Sequence, residues 1–164
     1  MVEEGFFGDE RVELVEGVII EMSPQGAPHA ATVQRLTSKL VPLLAGRAEV
    51  RIQLPLAVSD ESMLEPDVAV VAPGDYDKGH PTASSLVVEV ADSSLNKDRL
   101  VKAGLYARAG VPEYWIADVA SAVIEVHSEP VAGRYTRITP ARAGETIRLR
   151  AFPDLEIRVA DILR

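Results

Sequence analysis

The chain has 164 residues, which fits one domain, and its formal net charge is −8. Hydrophobic residues make up 47% and charged residues 26%, the composition of an ordinary soluble globular protein. The absence of cysteine excludes disulfides, zinc-thiolate sites and a cysteine nucleophile. The acidic N-terminus has no secretory signal pattern, and no run approaches the ~20 apolar residues of a transmembrane helix. We therefore expect a cytoplasmic protein without a membrane partner.

The acidic balance also bears on nucleic acids as partners. Proteins that bind nucleic acid through its phosphates usually present a basic face. A bound metal ion can supply positive charge locally, so an acidic chain does not exclude such a partner. The charge nevertheless counts against tight, autonomous DNA binding.

The first elements in chain order are a predicted hairpin and a predicted helix. Apolar and polar residues alternate over residues 11–22, around a Glu-Gly pair at 16–17 that is typical of a two-residue β-hairpin turn. A helix is predicted over residues 29–46, and its apolar residues line one face: Val33, Leu36, Leu40 and Leu44. Pro42 should kink the last turn of this helix or end it early.

Strands dominate the rest of the chain. Single strands are predicted at residues 49–58, 66–72, 86–91 and 113–118, and short strands separated by Gly and Pro follow to the end. A second helix is predicted from about Lys97 to Ala109, capped near Ser94 or Asn96. The order predicts a single α/β domain with a mixed central sheet, an N-terminal β-hairpin and a β-rich C-terminus.

Glu89 is the most informative residue because it interrupts an apolar run, LVVEVA at 86–91. Such a run is typical of a strand that is covered on both faces. A carboxylate buried there without a partner costs several kcal/mol, so it must meet a cation, a hydrogen-bond donor or a metal, or be protonated. The alternative is a partly exposed strand face or a structural ion pair with an arginine.

Asp67 is a second carboxylate, at the point where a predicted strand leaves a turn after Pro66. An Asp in that position often only caps the turn. Carboxylates on two neighbouring strands, however, bring like charges together, which raises a pKa or recruits a divalent cation. Ligand sets made only of oxygen favour Mg²⁺ or Mn²⁺ over zinc.

Lys102 is the third candidate, on the predicted second helix. Asp98, Lys102 and Tyr106 repeat every fourth residue and form one stripe, which can also be a solvated helix face. The helix directly follows the strand that holds Glu89. A helix that returns over its own strand can aim the lysine ammonium at the carboxylates.

Weaker candidates are Glu13 in the first hairpin strand and His29 at the start of the first helix. Glu13 could add a carboxylate to the cluster. His29 either solvates the helix start or contacts the site or a phosphate. His80 and His127 are expected on the surface.

No nucleophile elbow and no Gly-rich phosphate loop occurs, which argues against serine hydrolases, P-loop enzymes and Rossmann dehydrogenases.

Together, several segments resemble the Uma-type family of bacterial restriction endonucleases, long catalogued as a domain of unknown function. The matching segments are VELVEGVIIEMSP, His29 with the helix after it, EPDVAVV, LVVEVADSS, KDRLVKAGLYARAGVPEYWIAD and DLEIRVADIL. The resemblance covers roughly residues 10–163. It is most specific from LVVEVADSS through EYWIAD.

The resemblance implies a PD-(D/E)XK nuclease with a restriction-endonuclease-like α-β-β-β-α-β core. It implies that Asp67 and Glu89 bind the metal, and that Glu13 is an accessory site residue. The lysine usually found two residues after the Glu is missing, because Ala91 stands there. In this family its role is taken over from the following helix, where Lys102 stands.

Two main hypotheses follow. In the first, the chain is a Mg²⁺-dependent endodeoxyribonuclease, with Mn²⁺ as a possible substitute. Asp67, Glu89 and the Val90 carbonyl hold the metal, and Lys102 orients or deprotonates the attacking water or balances phosphate charge. In the second, it is a non-catalytic or weakly active binding module, and in either case a homodimer or higher homo-oligomer is expected. A hydrolase of smaller phosphodiesters is a third option.

Overall fold

A computed structural model describes residues 11–92 and 98–164. The strands are β1 Val12–Val15, β2 Val18–Glu21, β3 Glu49–Ile52, β4 Leu56–Ser59, β5 Ser62–Leu64, β6 Val68–Val71, β7 Leu86–Ala91, β8 Glu113–Asp118, β9 Val123–Val131, β10 Arg134–Arg142, β11 Thr146–Arg148 and β12 Glu156–Arg158. The helical segments are α1 Ala27–Leu44, a π-helical turn Asp98–Lys102 that leads directly into α2 Ala103–Arg108, and a 3-10 turn Val159–Asp161.

A six-stranded sheet in the order β10-β9-β8-β7-β6-β3 forms the centre of the molecule. Strands β7 and β8 are parallel, and every other neighbouring pair in this sheet is antiparallel. Because parallel neighbours need a crossover connection, the helical segment ending in α2 lies between them in the chain. The predicted mixed α/β architecture is confirmed.

Both faces of the central sheet are covered. Helix α1 covers one face with side chains that are fully buried: Leu36, Leu40 and Leu44. Helix α2 covers the other face, where Leu105 and Tyr106 pack with residues of the smaller sheet. Burial of one such leucine contributes roughly 1.5–3 kcal/mol. Every residue of β6, β7 and β8 is consequently buried, as is typical of strands that are covered on both faces.

The smaller sheet has the order β2-β1-β5-β4. Its hairpin turn is the predicted one, with positive φ angles at Glu16 (48°) and Gly17 (79°). The prediction of one strand over residues 49–58 is wrong, because the chain leaves the central sheet after β3 and enters the smaller sheet as β4. Gln53 makes this change of direction with a φ of 51°, and Pro55 follows it.

The two predicted helices differ from the structure at their ends. Helix α1 begins at Ala27 and continues past Pro42 to Leu44. For the second helix, the predicted start at Lys97 and the predicted caps Ser94 and Asn96 lie outside the described residues. Within residues 11–92 and 98–164, no helix has the combined length and apolar character that crossing a membrane requires.

The prediction that His127 lies on the surface is wrong, since the residue is 4% exposed. Its ring centroid lies 5.5 Å from that of Tyr114 and 5.8 Å from that of Tyr135. Because side chains alternate across a strand, β9 turns His127 toward the sheet face that carries these tyrosines. His80 is partly exposed on the loop before β7, as predicted.

Candidate active site

Strand pairing brings Asp67 and Glu89 to the same end of the central sheet. Strands β6 and β7 pair antiparallel with Val68 opposite Val88, and Asp67 and Glu89 are the next residues along the chain at that end of the pair. Both are buried, at 6% and 4% exposure. Asp67 and Glu89 line the same cleft.

Asp67 is held by donors from three parts of the chain. Its Oδ2 accepts hydrogen bonds from the Val90 backbone N–H at 2.8 Å and lies 3.0 Å from His29 Nε2. Its Oδ1 accepts a hydrogen bond from Gln53 Nε2 at 3.1 Å. Burial alone raises the pKa of Asp67, but the contacts with His29, Val90 and Gln53 outweigh it and hold this pKa below its usual value. Asp67 is thus a carboxylate at neutral pH.

Lys102 joins the two glutamates of the predicted site. Its Nζ donates to Glu89 Oε1 at 2.9 Å and to Glu13 Oε1 at 3.1 Å. All three side chains are buried, so each charge would be costly without the others. Tyr106 donates from its hydroxyl to the same Glu89 oxygen at 2.8 Å, and the Glu65 N–H donates to Glu13.

The backbone that carries Lys102 is unusual. Lys102 is the last residue of the π-helical turn that precedes α2. Single π-helical turns occur frequently at functional sites. Here the turn lies between β7 and β8, and it brings the ammonium back over β7 to Glu89, as the sequence analysis expected of a helix that returns over its strand.

The carboxylates line an open cleft of about 170 Å³. Its walls are formed by residues from β1, the end of β2, the segment that leads into α1, helix α1, the residue before β6, β7 and the residue after it, and the π-helical turn: Glu13, Glu21, Met22, Ser23, Pro24, Gln25, Gly26, His29, Asp67, Glu89, Val90, Asp92 and Lys102. Glu21 and Asp92 are exposed at this cleft. The mouth is therefore acidic, which agrees with the negative charge of the whole chain.

The Val90 carbonyl is directed to the Asp67 side of β7. The next carbonyl, that of Ala91, accepts a hydrogen bond from Val119 N on the β8 side. Successive carbonyls of a strand point to opposite edges. The Val90 N–H, which donates to Asp67, and the Val90 carbonyl therefore face the same edge.

The donor chemistry fits a divalent cation. Carboxylates of Asp67 and Glu89 and the Val90 carbonyl are oxygen ligands, which Mg²⁺ and Mn²⁺ prefer. In the described part of the chain, no group of three or more His, Asp or Glu side chains could hold a metal ion. Mg²⁺ keeps several waters and commonly binds through one or two carboxylates, so two side chains with a backbone carbonyl are compatible with it.

Of the two predictions left open for His29, contact with the site agrees with the structure. Helix α1 brings its Nε2 to Asp67, and the ring is largely buried. The other ring nitrogen, Nδ1, is buried and has no hydrogen-bond partner among residues 11–92 and 98–164. Because Asp67 is ionised, Nε2 is the nitrogen that carries the proton in this contact.

Gln53 and Tyr106 each contact a carboxylate of the site, although neither is among the site residues predicted from the sequence. Tyr106 could have been found, because it lies four residues after Lys102 on the same helix stripe. Gln53 gave no signal, because it stands inside an apparently continuous strand pattern. The structure thus brings together Glu13, His29, Asp67, Glu89, Val90 and Lys102. Their catalytic and metal-binding roles remain predictions.

The mixed central sheet, the few helices and the strand-rich C-terminus form an α/β fold that is similar to that of a nuclease-like protein. One solved structure with this fold is that of a "putative nuclease belonging to DUF820" from Anabaena variabilis ATCC 29413. The similarity has a TM-score of 0.72 at 15% sequence identity, and it covers 94% of this chain and 90% of that chain. At this identity the similarity shows the fold alone.

The family profile "Uma2: Putative restriction endonuclease" matches residues 4–160. Because the match covers nearly the whole chain, the protein belongs to the Uma2 family. The resemblance stated from the sequence is confirmed. No curated protein matches the sequence significantly. Family and fold together support a nuclease role.

Proposed function

We propose that the protein is a divalent-metal-dependent endonuclease that hydrolyses phosphodiester bonds in DNA. The observation that supports it most is the meeting of Asp67, Glu89 and the Lys102 ammonium at one open cleft. Membership of a family described as restriction endonucleases supports the choice of DNA as substrate. The absence of cysteine is compatible with work in the cytoplasm.

Asp67, Glu89 and the Val90 carbonyl would hold Mg²⁺ or Mn²⁺. When bound, the metal supplies charge stabilisation at the scissile phosphate and an activated water. Asp67 is prepared for this role, because its hydrogen bonds keep it ionised and fix its orientation. Tyr106 fixes the orientation of Glu89 by donating a hydrogen bond from its hydroxyl.

Lys102 is the group that would act on the substrate. From its place beside Glu89, the ammonium can donate a hydrogen bond to a phosphate oxygen or orient the attacking water. Glu13 has a supporting role, since it holds the ammonium over β7 from the hairpin side. His29 contacts the carboxylate of Asp67 rather than that of Glu89, so its role is to orient Asp67.

The acidic mouth affects how DNA would bind. Glu21 and Asp92 repel phosphates, so the carboxylates alone make a poor nucleic-acid site. A cation held by Asp67 and Glu89 would offset this repulsion by adding positive charge to the cleft. We therefore expect DNA binding that depends on the metal and weakens with added salt.

The proposal is tested by nicking of supercoiled plasmid in Mg²⁺ and in Mn²⁺. Asp67→Asn and Lys102→Met should each reduce the rate by about 100-fold or more. Lys78→Met is the matched control, because Lys78 is exposed on the loop before β7, and its rate should equal that of the wild type. A wild-type protein that is inert on DNA and RNA with both metals would overturn the proposal.

The second candidate is a dimeric binding module with the nuclease fold and little or no catalysis. The net charge of −8 and the acidic mouth favour it. Against it, the cleft is open, and the described residues that line it include no arginine that could replace the metal. Metal-dependent DNA binding without nicking, in a protein that sediments as a homodimer, is the result this candidate predicts.

A further inference from the structure

The two oxygens of the Asp67 carboxylate are held unequally. Oδ2 contacts two donors, the Val90 N–H and His29 Nε2. Among the described residues, Oδ1 has one donor, the Gln53 amide. Since each carboxylate oxygen offers about two lone-pair sites, Oδ2 has no site left, whereas Oδ1 keeps one.

Gln53 is held against Asp67 at two points. Besides the side-chain contact, its backbone N–H donates to the Asp67 carbonyl at 3.2 Å. Its φ of 51° lies in the left-handed region, where residues other than glycine are strained. Glycine would relieve this strain but would lose the amide that reaches Oδ1. A substitution at position 53 can therefore test the side-chain contact with Asp67 separately from the backbone contact.

We propose that Gln53 is a positioning residue, which fixes the plane of the Asp67 carboxylate so that Oδ1 is the oxygen that binds the metal. The inference rests on the proposed metal-dependent function. Beside the Gln53 hydrogen bond, Oδ1 keeps a lone pair with which it could bind a cation, whereas the His29 and Val90 contacts occupy both sites of Oδ2. Partners that orient a metal ligand commonly change metal affinity by about 10–100-fold when they are removed.

A purely structural role for Gln53 makes a different prediction. In that case the backbone contact to the Asp67 carbonyl is what matters, and it ties the end of β3 to the start of β6. Gln53→Gly keeps that contact and removes the left-handed strain. The substitution should then leave metal binding unchanged.

The experiment measures Mn²⁺ binding by titration calorimetry on the full chain, together with the thermal midpoint. Gln53→Gly should keep or raise the thermal midpoint, while the Mn²⁺ dissociation constant rises by about 10–100-fold. Gln53→Met keeps the length of the side chain without the donor, and it should weaken Mn²⁺ binding equally. Gln34→Ala is the matched control, because Gln34 is exposed on α1 and, among the described residues, its side chain hydrogen-bonds only to Ser38. This variant should bind Mn²⁺ like the wild type.

Each result separates the two proposals. Wild-type Mn²⁺ affinity in a folded Gln53→Gly or Gln53→Met variant overturns the role of Gln53 and leaves the nuclease proposal standing. A Mn²⁺-bound structure in which Oδ2 is the ligand overturns it as well, even where the affinity falls. A wild-type protein that binds no Mn²⁺ overturns the metal dependence itself, and this inference with it.

Discussion

The two ends of the central β7–β8 pair each bury a carboxylate, but they hold it in different ways. Where β7 ends, Glu89 meets an ammonium and a tyrosine at an open cleft. Where β8 begins, Glu113 is 3% exposed and accepts hydrogen bonds from the Trp115 indole and the Arg150 backbone N–H. Neutral, fixed donors are typical of a structural role. A charged side chain at an accessible cleft is available for chemistry.

The largest effect is expected from removing the ammonium of the cleft. Lys102→Met leaves two buried carboxylates, Glu13 and Glu89, without their cation, which should cost about 3–5 kcal/mol of stability. Urea unfolding measures this cost. A variant as stable as the wild type would contradict the view that the ion pairs hold this end of the sheet together.

A smaller effect is expected at the opposite end. Glu113→Gln keeps one acceptor oxygen, so either the Trp115 indole or the Arg150 N–H loses its partner, at about 1–3 kcal/mol. Plasmid nicking should remain at the wild-type rate, because the residue lies away from the cleft. A large loss of nicking in a stable Glu113→Gln protein would remove the distinction between the two carboxylates.

The same residue should affect the pH dependence of stability. Burial raises the pKa of Glu113 above its usual 4.5, against the effect of its hydrogen bonds. The folded state therefore binds the Glu113 proton more tightly than the unfolded state does. The free energy of unfolding that this difference adds declines as pH rises from 4.5 through the folded pKa. Glu113→Gln should remove this decline from thermal midpoints measured across that range. An unchanged pH profile would contradict the assignment.

His127 should show the opposite dependence. Burial lowers its pKa below the usual 6.5, although Glu125 acts in the other direction. As pH falls, the unfolded state therefore takes up the His127 proton before the folded state does. Stability that is present above pH 6.5 is lost as pH falls through 6.5 toward the folded pKa. His127→Gln should flatten the thermal midpoint between about pH 7 and pH 5. A wild-type profile that is already flat there would count against the buried, neutral histidine.

The smallest effect is expected for an exposed ion pair. Arg47 contacts Asp154 at 2.7 Å on the surface, and neither group is buried. Such pairs add little, because water and salt screen them. Asp154→Asn should leave both the thermal midpoint and the nicking rate close to the wild type. A marked loss of stability would mean that surface charges matter here as much as buried ones.

Much of the fold and part of the site could be predicted from the sequence. The strand bounds of residues 86–91 and 113–118 are those predicted, because buried runs bounded by turn residues are strong local signals. Glu89 was recognised because a carboxylate in such a run needs a partner. Gln53 and His127 were missed for a common reason. Their contacts depend on which sheet or face the chain enters, and tertiary packing decides that.

A crystal soaked in Mn²⁺ tests the central claim most directly. The account predicts one anomalous peak in the cleft, bound by the carboxylates of Asp67 and Glu89 and by the Val90 carbonyl, with the Lys102 ammonium beside it. An absence of any peak in the cleft would contradict it, as would Mn²⁺ bound elsewhere with Asp67 and Glu89 not in contact with it.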